Sequence, residues 1–360
     1  MKILFDVAIL SKQKFGVAYA VLEQMKALQA LPELEVENIV FGINGVKEHR
    51  ELLKEEGISS RSFLFPNKAT RIFEKFKISL SSLSLGKYDF FIQTGTHASR
   101  VIDHEKYILS VHDMLGHRYQ EEYAPQGLTV VEKQKLMRKV KAITTVSEFT
   151  KSEIMYFFPD ISHDKIHVIP NGYDQSRFNE KNDLKEFEII RNRYNLPAKY
   201  FLAYGGNSER KNMGRLYSVF LENATPLPLV VFGKHDVSAN NNIFALGYLP
   251  EKEVELILKN AFALILPSFY EGFGLPVIEA QACGIPVICS EVASLPEVSG
   301  GYVFSFNPFD KDLIYKSIIR AYEDVIERKR MVKQGLAWAK EFTWENSAGR
   351  LFELLNKLSI

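Results

Sequence analysis

Cysteine is nearly absent from this sequence: 360 residues include 2, Cys283 and Cys289. They stand close together in an apolar stretch, with no C-x-x-C spacing and no neighbouring histidine. That excludes a disulfide framework and a thiolate metal site, and reads as buried free thiols in a reducing cytoplasm. An excess of charge of either sign is also missing. Lys and Arg total 45 against 44 Asp and Glu, a formal net charge of +1, whereas a dedicated nucleic-acid binder carries a strong basic excess. No apolar run reaches the roughly 20 residues that span a bilayer. The opening MKILFDVAILSKQK sets one lysine before a short apolar run that Asp6 interrupts, so it reads as a core strand and not as a secretory signal. No G-x-G-x-x-G follows the first strand of either half, which argues against a dinucleotide-dependent oxidoreductase.

What is there is ordinary globular composition, 46% hydrophobic and 25% charged, over a length that favours two cores. Apolar runs at 2–10, 35–43, 89–95, 106–113, 141–147 and 165–172 are predicted strands, and 19–31 and 130–140 carry helical periodicity. Such alternation predicts an α/β chain with parallel sheets covered by helices. It lapses over the polar stretch 173–198, then resumes at 199–206, 227–234, 243–249, 262–268, 285–290 and 300–306. The domains are therefore placed at 1–172 and 173–342, with a terminal helix at 343–360. Thr343 stands where it would cap that helix, although Asn346 occupies the position where a capping box has Glu or Gln.

The most informative stretch is PSFYEGFGLPVIEAQACGIPVICS, 267–290. A strand leads into a turn bearing Gly272 and Gly274, Pro276 is predicted as the first helical residue, and Gly284 stops the helix. A helix start offers unpaired N–H groups and partial positive charge, and the glycines let backbone approach an anion. A carboxylate accepts hydrogen bonds from two vicinal hydroxyls, which suits Glu279 to a ribose. The plainer reading leaves Glu271 and Glu279 on a solvated surface.

Other segments add to this. In AYGGNSERKNMGRL (203–216), Arg210 and Lys211 precede a helix, where positive charge is unfavourable unless an anion is met. The alternative is a solvated basic helix start. SVHDMLGHRY (110–119) puts His112 and Asp113 at a strand end, where ligands bind in open α/β sheets; a structural histidine is the alternative. Gly16, in KFGVAYAV, marks a turn between the first strand and first helix. Residues 61–77 interleave Arg61, Lys68, Arg71, Lys75 and Lys77 with four phenylalanines. They read either as an amphipathic helix facing the core or as a peripheral contact with anionic lipid.

Residues 271–287 resemble, almost position for position, the run E-G-F-G-L-P-x-x-E-A-x-A-x-G-x-P-V of glycosyltransferase family 4. The resemblance implies the GT-B fold: two Rossmann-like domains whose parallel sheets face each other across a central cleft. It implies a retaining glycosyltransferase that moves a sugar from a nucleotide-sugar to a hydroxyl acceptor. Glu279 would then hold the donor ribose and Glu271 would lie near the donor sugar. Gly272 and the amides of Phe273, Gly274 and Leu275 would meet sugar hydroxyls or phosphate. Lys211 with Arg210 would stabilise the leaving diphosphate, and His112 would contact the donor sugar. The backbone of Gly16 would approach the phosphate, and that of Tyr248 and Leu249 the nucleobase edge. Gly206 stands where many members carry a basic residue, which leaves the cation count open.

By the same resemblance no metal or other cofactor is needed, because cations already occupy the phosphate side; Asp310 and Asp312 read as helix-start acids. A front-face route, in which the leaving phosphate oxygen takes the acceptor proton, is favoured over Glu271 as a covalent nucleophile. The R-K-N run at 210–212 is similar to that of bacterial enzymes that build O-antigen or capsule. The expected donor is GDP-mannose, with UDP-sugars open. The expected acceptor is a glycan or lipid-linked saccharide, and the expected location is cytoplasmic, on the inner face of the plasma membrane if 61–77 meets lipid. A sugar-nucleotide epimerase, a phosphorylase and a catalytically silent nucleotide-sugar-binding subunit are the rival functions.

Overall fold

In a computed structural model of the chain, the structure describes residues 1–7, 9–10, 16–41, 53, 57–63, 86–94, 104–119, 130–235, 237–238 and 240–359, with backbone only at 40–41, 61–63 and 130–134. Two compact units emerge: Met1–Gly172 with Trp344–Ile360, and Tyr173–Thr343.

The N-terminal unit is built on a parallel sheet of β1 (Lys2–Asp6), β2 (Glu35–Phe41), β3 (Arg61–Phe63), β4 (Phe90–Gln93), β5 (Tyr107–Val111), β6 (Ala142–Thr145) and β7 (Ile166–Val168). Their order across the sheet is 3-2-1-4-5-6-7. The strands are apolar on both faces because helices cover both: α1 (Val17–Gln29), α2 (Leu115–Arg118), α3 (Val130–Lys139) and α4 (Glu148–Phe157). In α1, good helix formers carry Val21, Met25 and Leu28 on one buried face. Those residues pack with Ile3, Phe5 and Ile92 on one side of the sheet, while Leu4, Phe91 and Leu109 point to the other side against Met137 and Ile154. Ser147 caps α4, its hydroxyl oxygen accepting from the Thr150 amide at 3.1 Å.

Strand β3 departs from the expectation for 61–77. Its residues are extended and pair in parallel with β2, Ile39 opposite Arg61; three residues are too few to show a period in sequence. The rest of that basic and aromatic stretch, from residue 64 on, lies outside the described residues, as do residues 14 and 15 of the glycine turn.

The second unit carries β8 (Phe201–Tyr204), β9 (Leu229–Phe232), β10 (Ile243–Ala245), β11 (Ala263–Leu266), β12 (Val287–Ser290) and β13 (Phe304–Phe306). They form a parallel sheet in the order 10-9-8-11-12-13. Its helices are α5 (Leu184–Arg193), α6 (Met213–Glu222), α7 (Glu251–Lys259), α8 (Leu275–Ala282), α9 (Leu295–Ser299), α10 (Lys311–Glu323) and α11 (Val325–Ala339). The order reverses between β8 and β11, which are neighbours. Loops leaving the carboxyl ends of adjacent strands on either side of such a reversal diverge and open a crevice. Here those loops are 205–212 and 267–274. The chain ends with α12 (Trp344–Leu358), which belongs to the first unit and buries Leu351, Leu354 and Leu355 in the α1 side of its core. Among the described residues no helix is long and apolar enough to cross a membrane.

Candidate active site

The loop after β11 runs from Pro267 to Gly274, which is the N-cap of α8 with φ +100°. A side chain there would be strained by φ alone, and its Cβ would stand 2.6 Å from Leu295 Cδ2. The helix begins at Leu275, so Pro276 is its second residue and not the first. The first four amides of a helix have no intrahelical acceptor, so either place tolerates proline. Gly284, φ +71°, ends the helix: Ile285 N donates to Ala280 O at 2.9 Å and Gly284 N to Gln281 O at 3.0 Å, a Schellman pair.

The loop after β8 tightens into a 3₁₀ turn, Glu209–Lys211, and meets α6 through Asn212, which has left-handed φ +54°. The buried Asn212 amide donates to Pro267 O at 3.0 Å and to Pro308 O at 2.9 Å. Phe269 N donates to Arg210 O at 2.7 Å. These bonds tie the cationic turn to the end of β11 and bring Arg210, Lys211 and Glu271 together. Lys211 Nζ is 2.7 Å from Glu271 Oε1, Arg210 Nη1 is 3.1 Å from Oε2, and the Ser268 hydroxyl donates to Oε1 at 2.7 Å. Gly206 lies against this group: a Cβ there would come 3.1 Å from Lys211 Cγ. A larger residue at 206 would press on the lysine it precedes.

Burial is the largest single influence on the Glu271 carboxyl and would raise its pKa. The Lys211 and Arg210 charges, with hydrogen bonds from Lys211 and Ser268, outweigh it and hold the group below the ordinary carboxylate value. Two cations against one carboxylate leave the group net positive beside the polarised start of α8, a setting for a polyanion. Glu279, in the second turn of α8, is 9% exposed. Burial pushes its carboxyl up to about 7, against the pull of Arg177 and with the repulsion of Asp174 and Glu251.

Leu249 is buried and Tyr248 is 71% exposed. Gly233 N donates to Gly247 O at 2.9 Å, which sets 247–249 beside the end of β9. In the other unit, Gly16 (φ +62°) is the N-cap of α1, and His112 follows the last residue of β5, half-buried. Asp113 Oδ1 accepts from Leu115 N at 3.1 Å, securing the turn after His112. Asp310 caps α10, accepting from Asp312 N at 2.9 Å and Leu313 N at 3.3 Å, the helix-start role read from the sequence. Cys283 and Cys289 are buried and free, and burial pushes both thiols up to about 12. Sequence reasoning missed Ser268 and Asn212. The tolerance of asparagine for left-handed backbone, just before a helix, was the available signal for Asn212.

The family described as Glycosyltransferase Family 4 matches residues 16–177, and that described as Glycosyl transferases group 1 matches residues 185–338. The O-antigen chain mannosyltransferase B of Escherichia coli is 27% identical over 372 residues, covering 96% of this chain and 97% of that protein. The serotype-specific mannosyltransferase WbdA of Escherichia coli is 25% identical over 239 residues, covering 61% of this chain and 29% of the much longer protein. Among solved structures, Anabaena HepE, crystallised with UDP and glucose, superposes with a TM-score of 0.74 over 99% of this chain and 100% of its own, at 15% identity. That likeness speaks for the GT-B fold. With both halves matched by glycosyltransferase families, and with the E-G-F-G-L-P run placed at the switch point of its second sheet, the chain belongs to glycosyltransferase family 4 and is a glycosyltransferase.

Proposed function

We propose that the chain moves mannose from GDP-mannose to a hydroxyl of a growing, lipid-linked surface glycan, with retention of anomeric configuration, in the cytoplasm. The observation that carries this reading is the net-positive group of Lys211, Arg210 and Glu271 beside the start of α8. Negative charge grows on a departing nucleoside diphosphate, and preorganised cations and amides aimed at it supply the largest catalytic contribution. Lys211 and Arg210 take that part, assisted by the amides of Phe273, Gly274 and Leu275. Glu279 holds the ribose, the 248–249 backbone meets the base, and Gly16 and His112 of the N-terminal unit serve the donor phosphate and sugar. Glu271, held ionised, is suited to an electrostatic role at the sugar. A carboxylate whose ionised form is favoured by two cations and a hydroxyl is a weaker base and nucleophile, which favours the front-face route. The mannose preference is supported by the near full-length likeness to the Escherichia coli mannosyltransferase. No metal is required where two cations already face the diphosphate. Peripheral contact of 61–77 with anionic lipid would keep the enzyme near a lipid-linked acceptor.

A thermal-shift panel of GDP, UDP, ADP and dTDP tests the donor. A ligand at about a hundred times its dissociation constant stabilises by roughly 2.7 kcal/mol, and GDP is expected to give the largest shift. GDP release from GDP-mannose should then require an acceptor saccharide. A larger shift with UDP moves the donor to a UDP-sugar. Turnover without acceptor makes the chain an epimerase, and shifts without turnover across acceptors make it a binding subunit.

A further inference from the structure

Where the chain leaves β12 and enters α9 lie three residues that the chemistry above leaves unused: Ala293, Ser294 and Leu295, the first residue of the helix. Ser294 occupies the N-cap position of α9. A serine there ordinarily accepts a hydrogen bond from the second or third amide of its own helix. This one makes no such bond. Its fully buried hydroxyl instead stands 2.8 Å from the carbonyl oxygen of Glu271 and 2.8 Å from that of Phe273. One hydroxyl carries one proton, so Ser294 shares it between the two carbonyls that flank Gly272.

Its neighbours point the same way. Ala293 has φ +58°, a conformation that a β-carbon disfavours and that persists only where the surroundings impose it. Leu295, also fully buried, places Cδ2 2.6 Å from where a Cβ on Gly274 would be. Ser294 and Leu295 thus close on the 271–274 loop from the β12 side, directly after the left-handed Ala293.

We propose that Ser294 is a positioning residue for glycosyl transfer. By bridging Glu271 O and Phe273 O it sets the backbone from which the Glu271 carboxylate reaches Lys211 and Arg210, and from which the amides of 273–275 converge. The kinetic half of this inference rests on the glycosyl-transfer reading; the structural half does not.

The test compares the full-length wild type with Ser294→Ala and Ser294→Thr by hydrogen exchange and by steady-state transfer. In Ser294→Ala, exchange of the 271–275 amides should rise at least about tenfold while β11 stays protected. Its kcat should fall about tenfold to a hundredfold, with a smaller change in the donor KM. Ser294→Thr keeps the hydroxyl and should restore most of the kcat. Loop exchange equal to wild type in Ser294→Ala overturns the proposal. So does a kcat loss accompanied by equal exchange increases in the loop and β11, which is general destabilisation. A wild type that releases no nucleoside diphosphate from any nucleotide-sugar refutes the transfer reading, and the exchange result alone then decides whether Ser294 holds the loop.

Discussion

Glu271 and Glu279 stand on either side of the start of one short helix, are both largely buried, and come from one sequence run, yet their surroundings drive them in opposite directions. Glu271 meets Lys211, Arg210 and Ser268, and those partners overcome the cost of burial and keep it ionised. Glu279 sits on a helix whose residues Val277–Ala282 are all buried, and it rises to about 7 because its desolvation outweighs the pull of Arg177. Environments that push two carboxyls apart assign them different tasks. One serves as a fixed charge in a polar cluster. The other is a poised hydrogen-bonding group, whose ionised form the hydroxyls of the proposed ribose would complete.

The largest effect that could break this contrast is expected at Lys211. Lys211→Ala removes the closest cation from Glu271 and from the proposed diphosphate seat. Transfer should fall about 10²- to 10³-fold in kcat, measured as initial nucleoside diphosphate release. A loss below tenfold would mean that Arg210 and the helix start suffice. Glu271→Gln comes next. It preserves size and removes charge, so nucleoside diphosphate binding by calorimetry should persist while turnover falls about a hundredfold. Unchanged turnover would remove the charge of Glu271 from the chemistry. The wild-type carboxylate also contributes stability of its own. Its depressed pKa means that this contribution is present above the ordinary value of 4.5 and is lost as the pH falls through the lower folded value. Glu271→Gln should therefore flatten the acid limb of the stability curve.

Much of the frame was legible because it is local. Apolar runs announced twelve of the thirteen described strands, and residues 262–284 carried strand, turn, helix and stop in one stretch. β3 was not legible because three residues show no period. Pro276 was placed one position early, since the sequence marks a helix start without saying which of several free amides the proline replaces. The pairing of Lys211 with Glu271 could be anticipated only as a shared task. The Asn212 and Ser294 bonds that enforce the geometry could not be read at all. They join loops after β8, β11, β12 and β13, and side-chain contacts between loops leave no periodicity behind. The two glutamates looked alike in sequence for the same reason: what distinguishes them arrives from other loops.

Glu279 sharpens the contrast through pH. Its folded pKa is raised from 4.5 to about 7, so between those values the folded protein holds a proton that the unfolded chain has released. Stability contributed by the neutral form is then complete below 4.5, declines as the pH rises through the window, and is gone above about 7. Glu279→Gln cannot ionise. Relative to wild type it should be unchanged near pH 4 and more stable at pH 8, by something on the order of 1–3 kcal/mol. Nucleotide binding should move the other way. In the proposed ribose contact the hydroxyls donate to the ionised carboxylate, so wild-type affinity should strengthen as the pH rises toward 8, while the Gln variant binds about tenfold more weakly there and shows little pH dependence. Melting curves and calorimetric titrations across that range check both halves. Parallel stability profiles for the two proteins would show that Glu279 is not the desolvated partner of Glu271, and the opposition between them would collapse.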